Sequence, residues 1–489
     1  MTVFAPGRSI ESAELALLAR RAPIPAWVVV IAFGMVVALA IMGGKANLVR
    51  LGYPVGALAV GAWLYWRGPA PYIEFAWWLW HVSPGVRRIV DYQTGGYDPQ
   101  NPMSLTPFLV SGLAAIGVLH RLPELKRQQF IPWAVAVVCI LYGFLVGVLK
   151  VGVMPATHSL ITWLVPLLFG LFCAVEWRRY SDIQPAIRRA FLWGSAVLAV
   201  YGIAQFIDPQ PWDRIWMTSS GMYSVGRAFP YEVRVFSLVN APLPFATILV
   251  AGLFIGLSGK GLLRVASLVV GTLALLLSLV RSAWLAGAIG LVIYVAALPL
   301  RSTRRLIASA LATLAMVCTV PLWAPADLTG PTVRIVTERL LTFSHLKQDV
   351  SYKDRASFLD QVGEVVMDEP LGHGLGSTGM SSTLSAAGDG IRDFDNGIFA
   401  VLYSLGWIGG VALLVAALVI VGFSFRRREP GGDSIAKAAR AVAALSLLLA
   451  LGANVFEGVS AAVFWGFAGV ITAAHQWYDD LGSPREEYG

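Results

Sequence analysis

The sequence predicts an all-α protein, a polytopic transmembrane helical bundle of about 12–14 spans. Three observations predict it. Hydrophobic residues fill 57% of 489 positions and charged residues only 13%, whereas a soluble domain is nearer half apolar and a quarter charged. The mean hydropathy is +0.67. Apolar runs of roughly 17–25 residues, long enough to cross a bilayer, recur along most of the chain. So few charges cannot coat a 52.6 kDa globule, which excludes a soluble enzyme, a disordered chain and a disulfide-built secreted domain.

The runs lie near 26–44, 51–66, 69–83, 104–120, 130–152, 156–176, 189–207, 236–258, 261–280, 282–300, 304–324, 396–424, 438–455 and 457–475, the second and third being the weakest. Arg8, Arg20 and Arg21 precede the first, and no small-residue cleavage site follows it, so it reads as a span and not as a signal peptide. With the N-terminus placed in the cytoplasm, every inner loop holds at least one basic residue, and the inner segments gather 22 of the 37. That satisfies the positive-inside rule. An even number of spans leaves both termini inside. The net charge of +8 is then a property of short cytoplasmic loops, and no nucleic-acid partner is expected.

Two outer loops stand out, 208–235 and 325–395, and the second carries 6 basic and 11 acidic residues. Both are rich in aromatic residues and glycine, and loops this long are functional or disordered. The expected division is 1–200, N-terminal helices; 201–424, a region holding both outer loops; and 425–489, C-terminal helices and a cytoplasmic tail.

Three outer arginines are candidates for chemistry. Arg234 leads from the first outer loop into a span whose start is broken by Asn240, Pro242 and Pro244, because proline removes backbone donors. Irregular backbone at membrane depth is tolerated where protein buries it or where it lines a wet cavity. The plain alternative is a headgroup anchor paired with Glu232. Arg281 sits between two spans with almost no loop, where a snorkelling arginine at a tight turn is the alternative. Arg355 opens a stretch in which Ser351 and Asp354 resemble a capping box. Arg355, Leu359, Val362 and Val366 share one helical face there; a solvated surface arginine is the alternative. Guanidinium matches phosphate oxygens bidentately and stays charged near lipid, so arginines converging on one face suit a diphosphate.

Gly372-His373-Gly374-Leu375-Gly376 follows Pro370. Alternate glycines allow backbone amides to approach an anion; a flexible turn is the alternative. The six histidines, His81, His120, His158, His345, His373 and His475, lack ligand spacing, so neither a metal nor a cofactor is expected. Cys139, Cys173 and Cys318 read as small apolar fillers.

Four stretches resemble the O-antigen ligase / Wzy-type polysaccharide polymerase family: Tyr201-Gly202-Ile203-Ala204-Gln205; Arg234 through Phe245, with Asn240-Ala241-Pro242 where the family has Asn-Pro; Val280-Arg281-Ser282-Ala283; and Arg355 through Gly376 with Asp395-Asn396-Gly397 and Gly406-Trp407-Ile408-Gly409. The resemblance covers about 200–425. It implies a bacterial inner-membrane glycosyltransferase, metal-independent, with the large loop periplasmic. Its partners would be an undecaprenyl-diphosphate-linked oligosaccharide and an acceptor glycan in the lipid bilayer, with a chain-length regulator or export machinery as further candidates. Arg234, Arg281, Arg355, Arg227, Asn240 and Asn396 are the expected substrate-binding set.

One departure tilts the reading. Where the ligase branch has a histidine beside an asparagine, this chain has Asp395-Asn396. A carboxylate can orient or deprotonate an acceptor hydroxyl. Asp395 is therefore the first catalytic candidate, His373 and Glu232 the next, and an N-cap for the following helix is the plain alternative for Asp395. The expected activity is polymerase, building O-antigen or exopolysaccharide. The alternatives are a ligase acting on lipid A-core and a non-enzymatic transporter of lipid-linked glycan.

Overall fold

The computed structural model describes residues 24–258, 262–298, 369–379, 396–426 and 433–482. The run 304–324, Cys318, His345, Arg355 with its expected helix, and Asp395 lie outside the described residues. Every other expected span holds a helix, and the fold among the described residues is all-α. Seven helical stretches are long and apolar enough to cross a membrane, and four shorter apolar helices accompany them. The protein is a multi-pass membrane protein.

The first helices are α1 (Ala26–Met42), α2 (Ala46–Arg67) and α3 (Pro69–Gln93). No residue of α1 is buried, as expected for a helix that faces lipid on most sides. α3 is the opposite case. It is largely buried and carries Arg87, Arg88 and Asp91 inward, which is why its sequence reads as a weak span: it faces protein, not lipid. The next span is broken into α4 (Thr106–Gly112) and α5 (Ala114–His120).

α6 (Ile131–Lys150), α7 (Val153–Val175) and α8 (Tyr180–Ile207) follow. Loop 208–241 is built around a short helix, α9 (Pro211–Ser219), and an antiparallel bridge between Gly226 and Val233. Trp216, Met217, Val225, Val233 and Phe236 give it a small core of its own. Then come α10 (Pro242–Leu257), α11 (Leu262–Leu277), α12 (Arg281–Ala296), α13 (Gly397–Arg426), α14 (Ser434–Leu449) and α15 (Gly458–Gly482). α10 starts at Pro242, six residues later than the apolar run suggests, because Pro242 and Pro244 can occupy a first helical turn but not an interior.

α15 is central, and it crosses α7 backbone to backbone. A Cβ on Gly170 would lie 2.2 Å from the Trp465 carbonyl oxygen, and one on Gly469 2.0 Å from that of Gly170. Small residues drive such close helix crossings in lipid, where apolar surface alone gives no driving force. Helix direction alternates through the bundle. Loop 208–241, the α11–α12 turn, the α6–α7 turn, loop 369–379, the start of α13 and the α14–α15 loop therefore share one end.

Candidate functional site

The shared end is organised by a buried ion pair that links three elements. Arg88 of α3 lies with Nε 2.9 Å from Oδ1 of Asp213 in α9, and both side chains are inaccessible to solvent. The same guanidinium donates to the carbonyls of Val239 (2.5 Å) and Ser237, and to Oδ1 of Asn240 at 3.4 Å. Asp213 Oδ2 accepts from the Tyr201 hydroxyl (2.8 Å) and from Gln205 Nε2 (2.9 Å). Gln205 Oε1 in turn accepts the backbone N–H groups of Phe236 (3.1 Å) and Ser237 (2.8 Å). The irregular segment 234–241 thus has its buried polar groups met by side chains, as unpaired backbone at this depth would demand.

This explains Tyr201-Gly202-x-x-Gln205 physically. Residues four apart share a helix face, and both tips reach Asp213. Gly202 between them gives the segment room: a Cβ there would lie 2.7 Å from Val235 Cγ1. Arg88 and Asp213 were not legible as a pair. One sits in a weak span, the other in a loop 125 residues later, and only folding joins them.

The network holds Arg234 beside the turn that carries Arg281. Val235 N–H donates to the Leu277 carbonyl (3.2 Å), and Arg234 Nη2 reaches the Leu279 carbonyl at 3.5 Å. Arg281 is the first residue of α12, two residues on. Both arginines are half-buried. Among the described residues only three non-glycine residues have positive φ: Tyr231 (64°), Ser237 (54°) and Leu279 (54°). All three flank these arginines. Each costs on the order of 1–3 kcal/mol, and such strain clusters at functional sites.

Arg227 and Glu232 lie apart from this pair. The Gly226–Val233 bridge sets them directly opposite each other, 3.6 Å apart and well exposed. Bridge register therefore sets Glu232 against Arg227, a pairing that the alternative reading of Arg234 did not foresee.

In loop 369–379 the glycines serve close packing of backbone against two helices. α13 breaks at Gly406 (φ 67°, ψ −174°), which frees carbonyls before it and N–H groups after it. The N–H groups of His373 and Gly374 donate to the carbonyls of Tyr403 (2.8 Å) and Ser404 (2.9 Å), and Trp407 N–H donates back to Pro370 (3.0 Å). Leu375 N–H reaches Gly143 of α6 (2.8 Å). The glycines admit backbone to backbone contact: a Cβ on Gly374 would lie 2.3 Å from Gly147 Cα, and one on Gly372 2.3 Å from Gly406 N. The amides that would cradle an anion are spent on helix carbonyls. Lys150 anchors the loop through Glu369 (2.6 Å) and the Gly372 carbonyl (3.0 Å). His373 stacks flat on Tyr403, ring centroids 3.9 Å apart, and burial pushes its pKa below the ordinary value.

Asn396 caps α13, with Oδ1 accepting from Ile398 N–H (2.9 Å) and Phe399 N–H (3.3 Å). The cap is thus filled one residue after Asp395. Gly397 N–H donates to Ala450 at the end of α14 (2.8 Å). The α14–α15 loop then brings up Glu457, which sequence reasoning missed. Its carboxylate accepts from Thr162 (3.0 Å) and Asn454 (3.4 Å), and a Cβ on Gly379 would be 3.7 Å from Oε2. A Cβ on Gly452 would meet that of Ser282, beside Arg281, at 3.6 Å. An arc therefore runs from Arg234 through Arg281 and the α14–α15 loop to the start of α13 and Glu457.

Residues 266–414 match the Wzy_C family model, described as O-antigen ligase. That similarity covers about 30% of the chain. The matched stretch contains Arg281, Arg355, His373, Asp395, Asn396 and the Gly406 break, while Arg234, Glu232 and Asn240 precede it. The match supports a function of the O-antigen ligase or polymerase type, in a membrane setting. No curated protein matches the chain.

Proposed function

We propose that the protein is a polysaccharide polymerase of the bacterial inner membrane. It moves an undecaprenyl-diphosphate-linked glycan onto the sugar hydroxyl of an acceptor at the periplasmic face. The observation that carries this reading is the joining of Arg234 to the Arg281 turn through Leu279, with strained backbone on both sides. In the transfer, the bond from the anomeric carbon to the diphosphate oxygen breaks and a bond to the acceptor oxygen forms. Negative charge grows on the departing diphosphate, where two fixed guanidinium groups act most strongly. The acceptor proton passes to Asp395 or to the diphosphate itself. Aspartate is a weak base unless burial raises its pKa, so its contribution is chiefly to orient the hydroxyl.

Arg234→Lys and Arg281→Lys test the clamp. Lysine keeps the charge and loses the bidentate fork. Each variant should insert normally and lose at least about tenfold in transfer rate, the loss of roughly 1.4 kcal/mol of transition-state binding. Unchanged turnover by well-folded lysine variants would sink the reading. The description of the matched family as O-antigen ligase favours ligation as the second reading. Purified protein given lipid-linked repeat units alone decides between them: a polymer ladder marks a polymerase, and transfer only after lipid A-core is added marks a ligase.

A further inference from the structure

At the opposite end of the bundle, residues 127–133 leading into α6, the end of α13 and the end of α15 line an open cavity of about 430 Å³, a volume within the range of small-ligand sites. Arg127, Gln128, Arg426, Thr472 and His475 supply polar groups to its wall, Trp133 supplies an apolar one, and among the described residues no carboxylate lines it. Among the described residues neither Arg127 nor Arg426 forms an ion pair. The nearest acid on the α5–α6 connection, Glu124, is already held by Arg178, Arg121 and the Trp177 indole. Both guanidinium groups rest over aromatic rings instead, Arg127 above Trp177 at 5.8 Å and Arg426 above Phe423 at 4.9 Å. Ring contact fixes the arginine planes and leaves their donors for a ligand.

We propose that this cavity binds the phosphate headgroup of an anionic glycerophospholipid. Two ring-stacked guanidinium groups with no counter-charge among the described residues suit a phosphate ester. What selects a lipid over a free anion is the surface leading away from the cavity. Ile131, Val135, Val138 and Leu145 form an exposed apolar ridge along α6, and Phe425 and Leu418 are exposed on the neighbouring α13. These ridges begin at the cavity and run towards the other end of the bundle, so acyl chains lie along them while the headgroup stays among the arginines. Basic pockets between transmembrane helices hold anionic lipid in this way.

The test is native mass spectrometry of the full-length protein in detergent, equilibrated with phosphatidylglycerol, with phosphatidylcholine or with inorganic phosphate. The wild type should retain phosphatidylglycerol over phosphatidylcholine. The double variant Arg127→Gln/Arg426→Gln should bind it roughly thirty-fold more weakly, since each basic residue contributes about a factor of five at a lipid surface. Arg127→Lys/Arg426→Lys keeps the charge and loses the fork, so its binding should fall between wild type and the glutamine variant. Both arginines are exposed, and Arg426→Gln alone is the milder variant should the double one be unstable. Equal retention of phosphatidylglycerol by wild type and glutamine variants overturns the proposal. So does equal binding of phosphatidylcholine, and so does displacement of the lipid by millimolar inorganic phosphate, which would make this a free-anion site.

Discussion

Asp213 illustrates how much of this site depends on single side chains away from any motif. It neutralises Arg88 in a place neither can leave. Asp213→Asn keeps the shape and most hydrogen bonds but strands a buried cation, at a cost of about 3–5 kcal/mol. The expected result is a clearly lower unfolding temperature in detergent, with partial recovery in Arg88→Met/Asp213→Asn, where no buried charge is left alone. Full stability of Asp213→Asn would show that the pair does not organise segment 234–241. His373 offers a second test. Burial holds its pKa below the ordinary value, Lys150 works in the same direction, and Glu369 opposes them. The native state therefore binds the proton less readily than the unfolded chain, and stability falls as pH drops from about 6.5 towards the lowered folded value. The Lys150 hydrogen bond holds Glu369 below the ordinary carboxylate range, so its contribution disappears only at more acid pH. Melting temperatures between pH 7 and 5.5 should therefore fall less for His373→Gln than for the wild type; equal slopes would remove His373 from the account. At this scale the arginines 234 and 281 could be read from the sequence, because a charge at the edge of an apolar run is conspicuous. Arg88 and Glu457 could not, because their meaning is a partner distant in the chain.

Among elements, loop 369–379 and the break in α13 are one device written in two places. The glycine pattern at 372–376 was legible as a need for backbone proximity. What approaches was not, because the freed carbonyls belong to a kink thirty residues later. Gly147→Ala should be among the costlier small substitutions in the protein: its Cβ would lie 2.1 Å from the Leu375 carbonyl oxygen, backbone that cannot swing aside. Overpacking of this kind costs about 1–3 kcal/mol, and limited proteolysis within 369–379 should report the loosened loop. If Gly147→Ala leaves both stability and protection unchanged, the loop does not seat on α6. The start of α13 gives a cleaner division of roles. With Asn396 filling the cap, Asp395→Asn should leave stability within about 0.5 kcal/mol yet slow transfer if its carboxylate orients the acceptor. Normal transfer by Asp395→Asn would shift attention to Glu457.

For the whole molecule, the all-α class and the positions of the described helices followed from composition and run length, while the joining of α3, α8 and α9 through a buried polar network did not. Buried spans such as α3 lose their hydropathy signal because they face protein. Orientation is the outstanding test. Cysteines placed at Ser381 and Ser434 should react oppositely with an impermeant maleimide, Ser381→Cys from outside and Ser434→Cys only after permeabilisation, as the loop charges require. The reverse pattern would put the arginine end in the cytoplasm and remove the donor argument with it.

The break at Gly406 also sets a depth. As an unbroken helix, the 30 residues of α13 would be about 45 Å long, well beyond a hydrocarbon core of about 30 Å. The portion after the break, Trp407–Arg426, is close to 30 Å by the same rise and matches the core without tilt. The nine residues before it need not cross at all. α13 thus divides into a stretch of full core thickness and a half-helix capped at Asn396, and on the proposed reading the break at Gly406 is the level at which lipid tails give way to the transfer site.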